Sequence, residues 1–165
     1  MTDIDLLQSI SQQTFIEAFS ETNTAENMTK YMAKKFSNET LLAELSNRGS
    51  EFYFAQLGNR VIGYLKINSE QAQTELQHEH ALEIERIYVL QEFQGRKAGQ
   101  FLYEKALDIA RLKTVRFIWL GVWEENHRAI SFYQKNGFVA FDKHIFRLGD
   151  DEQTDILMKR SVINN

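Results

Sequence analysis

From Val115 to Val122 the chain reads VRFIWLGV, an almost continuous apolar run. A strand of that kind is central and covered on both faces, so the remaining elements have to supply a layer on each side of it. Ahead of it, Ala81 to Leu90 reads as a strand and Lys97 to Arg111 as a helix turning Ala98, Phe101, Leu102, Ala106 and Ile109 inward. Behind it, Asn126 to Asn136 reads as a helix closed by Gly137, and Phe138 to Arg147 and Thr154 to Arg160 as strands around Gly149-Asp150-Asp151. Strands alternating with helices predict an α/β layer structure with a mixed sheet.

The first third has a different rhythm. Ile4, Leu7, Phe15, Ala18 and Phe19 recur at helical intervals between Asp3 and Glu21, giving one buried stripe. Asn23 and Glu26 form an N-x-x-E start signal for a second helix, from about Thr24 to Phe36. Ser37 or Asn38 caps a third, which carries Leu41, Leu42 and Leu45 and ends near Gly49. The period then drops to two: Glu51 to Leu57 and Arg60 to Asn68 predict a hairpin turning at Gly58-Asn59. Residues 69–80 (SEQAQTELQHEH) have no apolar pattern and read as a solvated loop.

Length and composition bound the rest. A chain of 165 residues fits a single domain, here 1–165, with room for a sizeable core. It has no cysteine, which removes thiolate chemistry and Cys-based metal sites. No apolar run approaches a membrane span and the first residues are acidic, so a cytoplasmic protein is expected. With 19 Lys and Arg against 23 Asp and Glu, the formal charge of −4 argues against nucleic acid as a partner and mildly favours a cationic ligand.

Two segments carry chemistry. In LEIERIYVLQEFQGRKAGQFL (Leu82 to Leu102) a strand runs through a loop holding Gly95 and Gly99 into a helix start. Free N–H groups and the positive end of a helix dipole then converge, as an anion such as a pyrophosphate requires; an ordinary tight turn fits that segment equally well. The spacing is neither G-x-G-x-x-G nor a P-loop. The second segment is WLGVWEENHRAISFYQKNGF, Trp119 to Phe138.

Together these segments resemble the GNAT superfamily of CoA-dependent N-acetyltransferases. Its patterns run Y-V-x-P-x-[YF]-[QR]-G-x-G-[IA]-G and, further on, N-x-x-A-x-x-[FL]-Y-x-K-x-G-F. Here Tyr88 to Gly99 reads YVLQEFQGRKAG and Asn126 to Phe138 reads NHRAISFYQKNGF. The stretches EIERIYV, IWLGVWE and GDDEQTD are most similar to the bacterial spermidine/spermine acetyltransferase branch. The resemblance implies a mixed, mostly antiparallel sheet splayed between two parallel strands, with helices on both faces. Three departures stand out: Gln91 replaces the motif's proline, Lys97 its middle glycine, and the family's opening strand is absent or very short. A lysine there could crowd a pyrophosphate, or add favourable charge to its binding.

What the resemblance implies for the site is specific. Acetyl-CoA is the co-substrate, with no metal. Backbone around Ile87, Tyr88 and Val89 holds pantetheine and polarises the carbonyl; Gln94, Gly95, Arg96, Lys97, Ala98, Gly99 and Gln100 take the pyrophosphate. Asn126, Ala129 and Lys135 border the cofactor arm, and Tyr133 gives its proton to the departing sulfur. The acceptor is a small amine, a polyamine such as spermidine or spermine. Alternatives are another amine (protein N-terminus, lysine, aminoglycoside) or a CoA-binding regulatory protein without turnover. A homodimer is compatible, dimers being common in the family.

For the base, strand alternation puts Glu83 and Glu85 on the face of Ile87 and Val89, with Arg86 opposite. Burial and mutual repulsion would raise one carboxyl toward neutrality, and Glu85 is the nearer to the reaction centre. A solvated strand end, or a salt bridge to Arg86, is the bland alternative. His78 and His80 have no partners at metal spacing, and His144 lies mid-strand without a triad.

Overall fold

The computed structural model describes residues 2–162, the Phe146 side chain excepted; Met1 and residues 163–165 of the expected single domain lie outside the described residues. The helices are α1 (Asp3–Phe19), α2 (Ala25–Lys35), α3 (Asn38–Ser46), α4 (Ala98–Leu112) and α5 (His127–Lys135). The strands are β1 (Ser50–Leu57), β2 (Arg60–Ser69), β3 (Ala81–Val89), β4 (Phe117–Trp123), β5 (Val139–Leu148) and β6 (Asp151–Ser161). They form one sheet in the order β1-β2-β3-β4-β6-β5. Every pairing is antiparallel except β3 with β4. Helix α4 covers one face with α5, around Leu65, Ile84, Leu102, Ala106, Ile118 and Leu120. The opposite face is covered by α1, α2 and α3, around Leu7, Phe15, Met28, Leu41 and Tyr64.

Local chemistry sets the boundaries. Thr2 caps α1 through a reciprocal box with Asp5. In α2 the capping residue is Thr24, which accepts from the Asn27 N–H, rather than the expected Asn23. Asn23 instead donates back to the Phe19 carbonyl, and Glu26 is free to pair with Lys30 one turn on. Three apolar residues of these helices are outward, among them Phe101, which was expected to face inward. Leu42 and Leu45 on α3 are exposed, leaving Leu41 to anchor it. Phe101 on α4 is 75 % exposed; at 100° per residue it lies about 100° off the Leu102–Ala106–Ile109 stripe, which Tyr103 widens on the other side.

Two features of the sheet position the site. The parallel pairing lasts only from Ala81↔Phe117 to Glu83↔Trp119, after which β3 and β4 diverge into an open wedge. On its other edge β3 pairs Arg86 with Lys66 but Ile84 with Ile67, so Glu85 is an extra, bulged residue. The bulge resets the alternation and corrects the expected orientation. Glu83, Glu85 and Arg86 share the face of α1 and α3, while Ile87 packs with the α4 cluster.

Candidate active site

The wedge has a cationic rim at one end. Gln94 reaches back to the Val89 carbonyl at 3.1 Å, folding the loop onto the end of β3. Gly95 takes φ +76° and Lys97 φ +67°, both left-handed. Lys97 precedes α4 with no side-chain cap on the first turn, so the leading N–H groups are open to an anion. Gly99 has nothing within 4 Å of where a Cβ would stand. Gln94, Gly95, Arg96 and Lys97 are exposed and Ala98, Gly99 and Gln100 half-buried. Gln100 is tied to Asn136 at the end of α5. Arg128, which the sequence reading passed over, donates to Gln94 at 2.8 Å and stands 4.0 Å from the Cβ position of Gly95. It brings a third guanidinium or ammonium group beside Arg96 and Lys97. An uncapped helix start ringed by cations fits a pyrophosphate-bearing group such as CoA.

Asn126 caps α5, accepting from the Ala129 N–H at 3.1 Å. Lys135 is exposed at the far end of the helix, and Ala129 is half-buried. Tyr133 is buried with its ring edge-on to Phe132 and Phe138. Burial alone raises its phenol far above the usual tyrosine range, so it holds its proton at neutral pH. Tyr88, half-buried on β3, feels both Tyr133 and, from the other side of the sheet, Tyr31 of α2.

The β3 wall is an interlocked set of charges. Arg86 forms a two-pronged pair with Glu44 of α3, at 2.9 and 2.8 Å. Lys66 reaches Glu85 at 2.5 Å and Glu44 at 3.3 Å, and Arg86 lies 3.4 Å from Glu85. Each cation also stacks on a ring, Arg86 on Phe36 and Lys66 on Phe52. Burial pushes the Glu85 carboxyl up, but Arg86 and Lys66 outweigh it and hold its pKa below the ordinary carboxylate value. Glu83 behaves oppositely. Its burial dominates and raises the pKa, although Thr74 and Asn68 donate hydrogen bonds to its oxygens. Glu83 accepts at both oxygens, Glu85 Oε2 takes Asn68 and Lys66, and Glu85 Oε1 is left with Arg86 at 3.4 Å.

The loop between β2 and β3, expected to be solvated, is built into this site. Gln73 is 1 % exposed and accepts from the Trp119 indole at 2.7 Å, while Thr74 holds Glu83. Polar anchors, not apolar periodicity, tie it down. Its histidines serve elsewhere: His78 packs edge-on to Phe117, and His80 lies near Glu79.

These features have known counterparts. The sequence profile described as the Acetyltransferase (GNAT) family matches residues 9–138. An uncharacterised N-acetyltransferase of Lactobacillus delbrueckii subsp. lactis is 40% identical over 98% of this chain and 93% of its own length. A spermidine N(1)-acetyltransferase of Thermoplasma acidophilum is 26% identical over 96% of this chain and 91% of its own. Among solved structures, the PaiA N-acetyltransferase of Thermoplasma acidophilum in complex with coenzyme A superposes with a TM-score of 0.78 at 24% identity, covering 96% of this chain and 92% of that one. The Escherichia coli ribosomal-protein-S18-alanine N-acetyltransferase does so at 0.71 and 16% identity, covering all of this chain and 92% of that one. With its splayed parallel pair, open helix start and tyrosine-bearing α5, the chain belongs to the GNAT family of N-acetyltransferases.

Proposed function

We propose that this enzyme acetylates a primary amine of a polyamine such as spermidine or spermine, in a ternary complex with acetyl-CoA. The observation that carries the reading is the wedge between β3 and β4, with an uncapped, cation-rimmed helix start at one end and carboxylates on its acceptor face. By this reading the loop Gln94–Gln100 with Arg128 holds the pyrophosphate. The parted edge of β3 around Ile87–Val89 offers backbone N–H groups to the pantetheine arm and to the developing oxyanion. Bound there, acetyl-CoA supplies an activated thioester. Tyr133 protonates the departing sulfur. Glu83 and Glu85 keep the acceptor side anionic and draw in an ammonium; for either to take a proton directly, its present donors have to be displaced. The polyamine choice is supported by the distant spermidine acetyltransferase relative and by a second pair of carboxylates, Glu75 and Asp155, across the wedge.

Release of free thiol from acetyl-CoA, measured with spermidine, spermine, putrescine, a lysine peptide and an aminoglycoside, tests this. Turnover on the polyamines that falls about 10²- to 10⁴-fold in Tyr133→Phe supports both substrate and acid. Turnover only on another amine overturns the polyamine assignment. CoA binding without turnover on any amine points to a regulatory protein.

A further inference from the structure

We propose that His144 takes the proton from the acceptor amine, with Asp155 and Glu75 stabilising the imidazolium that results. The inference rests on amine acetylation in the wedge and is independent of which amine is used.

An ammonium cannot attack a thioester until it is deprotonated, and on the β3 wall both glutamates are already bonded to neighbours. The opposite wall is different. Gly121 lies two residues past Trp119 on β4, beyond the last parallel pair, where β3 and β4 have parted. Gly121 is exposed, and a Cβ there would lie 3.6 Å from Asp155 Oδ2 and 3.7 Å from His144 Cε1. The missing side chain leaves that carboxylate and imidazole edge beside the open part of the wedge. His144 and Asp155 are cross-strand partners on β5 and β6, which fixes one against the other. The imidazole keeps 26% of its side-chain surface exposed, and its Nε2 lies 3.6 Å from Glu75 Oε1. Among the described residues its buried Nδ1 has no hydrogen-bond partner, so Nε2 is the nitrogen open to proton exchange. Among the described residues no such group is arranged to hold a metal ion.

The electrostatics agree with the geometry. Asp155 accepts no side-chain hydrogen bond among the described residues; burial raises its pKa, His144 opposes this and Glu75 adds to it. The charged or titratable groups facing the imidazole are Glu75 from the β2–β3 loop, Asp155 from β6 and, on α2, Tyr31, whose phenol feels Asp155. On the β3 wall, Glu85 is neutralised by Lys66 and Arg86. The neighbouring Lys143 lies nearest Glu124, at 3.9 Å.

The step balances. The ammonium gives one proton to His144 Nε2, and the freed lone pair forms the C–N bond as the C–S bond breaks. The sulfur takes the Tyr133 proton, and the second proton leaving nitrogen restores the phenol. The imidazolium discharges through Glu75, which is 44% exposed, releasing one proton to solvent.

The test compares His144→Gln with wild type on two acceptors, spermidine and a hydrazine that is largely uncharged at neutral pH, across pH 5.5–9. A proton acceptor predicts a loss of about 100-fold in kcat/KM for spermidine at neutral pH, loss of the acidic limb, and less than about 5-fold loss for the hydrazine, which needs no deprotonation. Calorimetric affinity for acetyl-CoA should stay within about twofold of wild type. Asp155→Asn provides a second variant should the first not fold; it should lower kcat/KM for spermidine more than for the hydrazine. Equal losses on both acceptors in either variant, or an unchanged acidic limb in His144→Gln, overturn the proposal while leaving acetyl transfer intact. If wild type acetylates no amine, the proposed function and this inference fall together.

Discussion

The two walls of the wedge carry similar side chains in opposite states. On β3, Glu85 is saturated by Lys66, Arg86 and Asn68, and its pKa lies below the ordinary value. On the β5–β6 side, Asp155 faces the His144 imidazole across the strand pair and, among the described residues, accepts no side-chain hydrogen bond; its pKa lies above the ordinary value. Charges that satisfy one another build a wall, at the desolvation cost that mutual pairing offsets. A carboxylate left unsatisfied is a local destabilisation held in place by the fold, as is common where a site must meet a cationic ligand. On the proposal made above, the β3 network serves architecture and field, and the opposite wall acts on the acceptor.

Glu85→Gln should break the comparison most strongly. Leaving Lys66 and Arg86 to share Glu44 should cost about 3 kcal/mol, a fall in Tm of roughly 6–12 °C. Because the folded pKa of Glu85 is depressed, its contribution is present above the unfolded value. It is lost as pH falls through the folded one, so the Tm gap should close in acid. Asp155→Asn should behave in the opposite sense. The native pKa is raised, so ionisation disfavours the fold as pH rises from the unfolded value through the folded one. The variant should therefore match or exceed wild type in Tm at neutral pH while losing activity. Melting curves at several pH values decide both, and the same sign in the two variants would dissolve the distinction between the walls.

Lys97→Gly should have the smallest effect. A lysine at φ +67° sits in a region that glycine occupies at lower cost, so the change should stabilise by about 0.5–1 kcal/mol. Calorimetry with CoA then separates the two contributions at that position. Weaker binding shows that the ammonium assists, and tighter binding that the side chain obstructs.

Much of this was readable in the chain. The apolar run through Ile118 and Leu120 marks the central strand, the hairpin turn is where Gly58-Asn59 puts it, and Gly137 closes α5. Those features depend on local periodicity and turn chemistry. Four others were not readable, each because the folded chain decides it. The bulge at Glu85 inverts the expected relation of Arg86 to Glu85, and nothing in ALEIERIYV marks where the strand takes an extra residue. The loop at residues 69–80 looks solvated because its anchors are polar: Gln73 to Trp119, 46 positions away, and Thr74 to Glu83. His144 looked isolated because its partners, Glu75 and Asp155, come from a distant loop and a neighbouring strand. Arg128 sits inside the second motif at a position that the pattern leaves open, and only the fold brings it to Gln94.

The central claim is that the wedge and the α4 start receive CoA. The most direct measurement is the backbone amide NMR spectrum of the protein titrated with CoA. The account predicts shifts at Ile87 and Val89, through residues 94–100 and at Asn126–Ala129. It predicts none at the basic groove of about 400 Å³ formed by Arg116, Gly137, Lys159 and Arg160. Shifts confined to that groove, with the 94–100 loop unmoved, would contradict it.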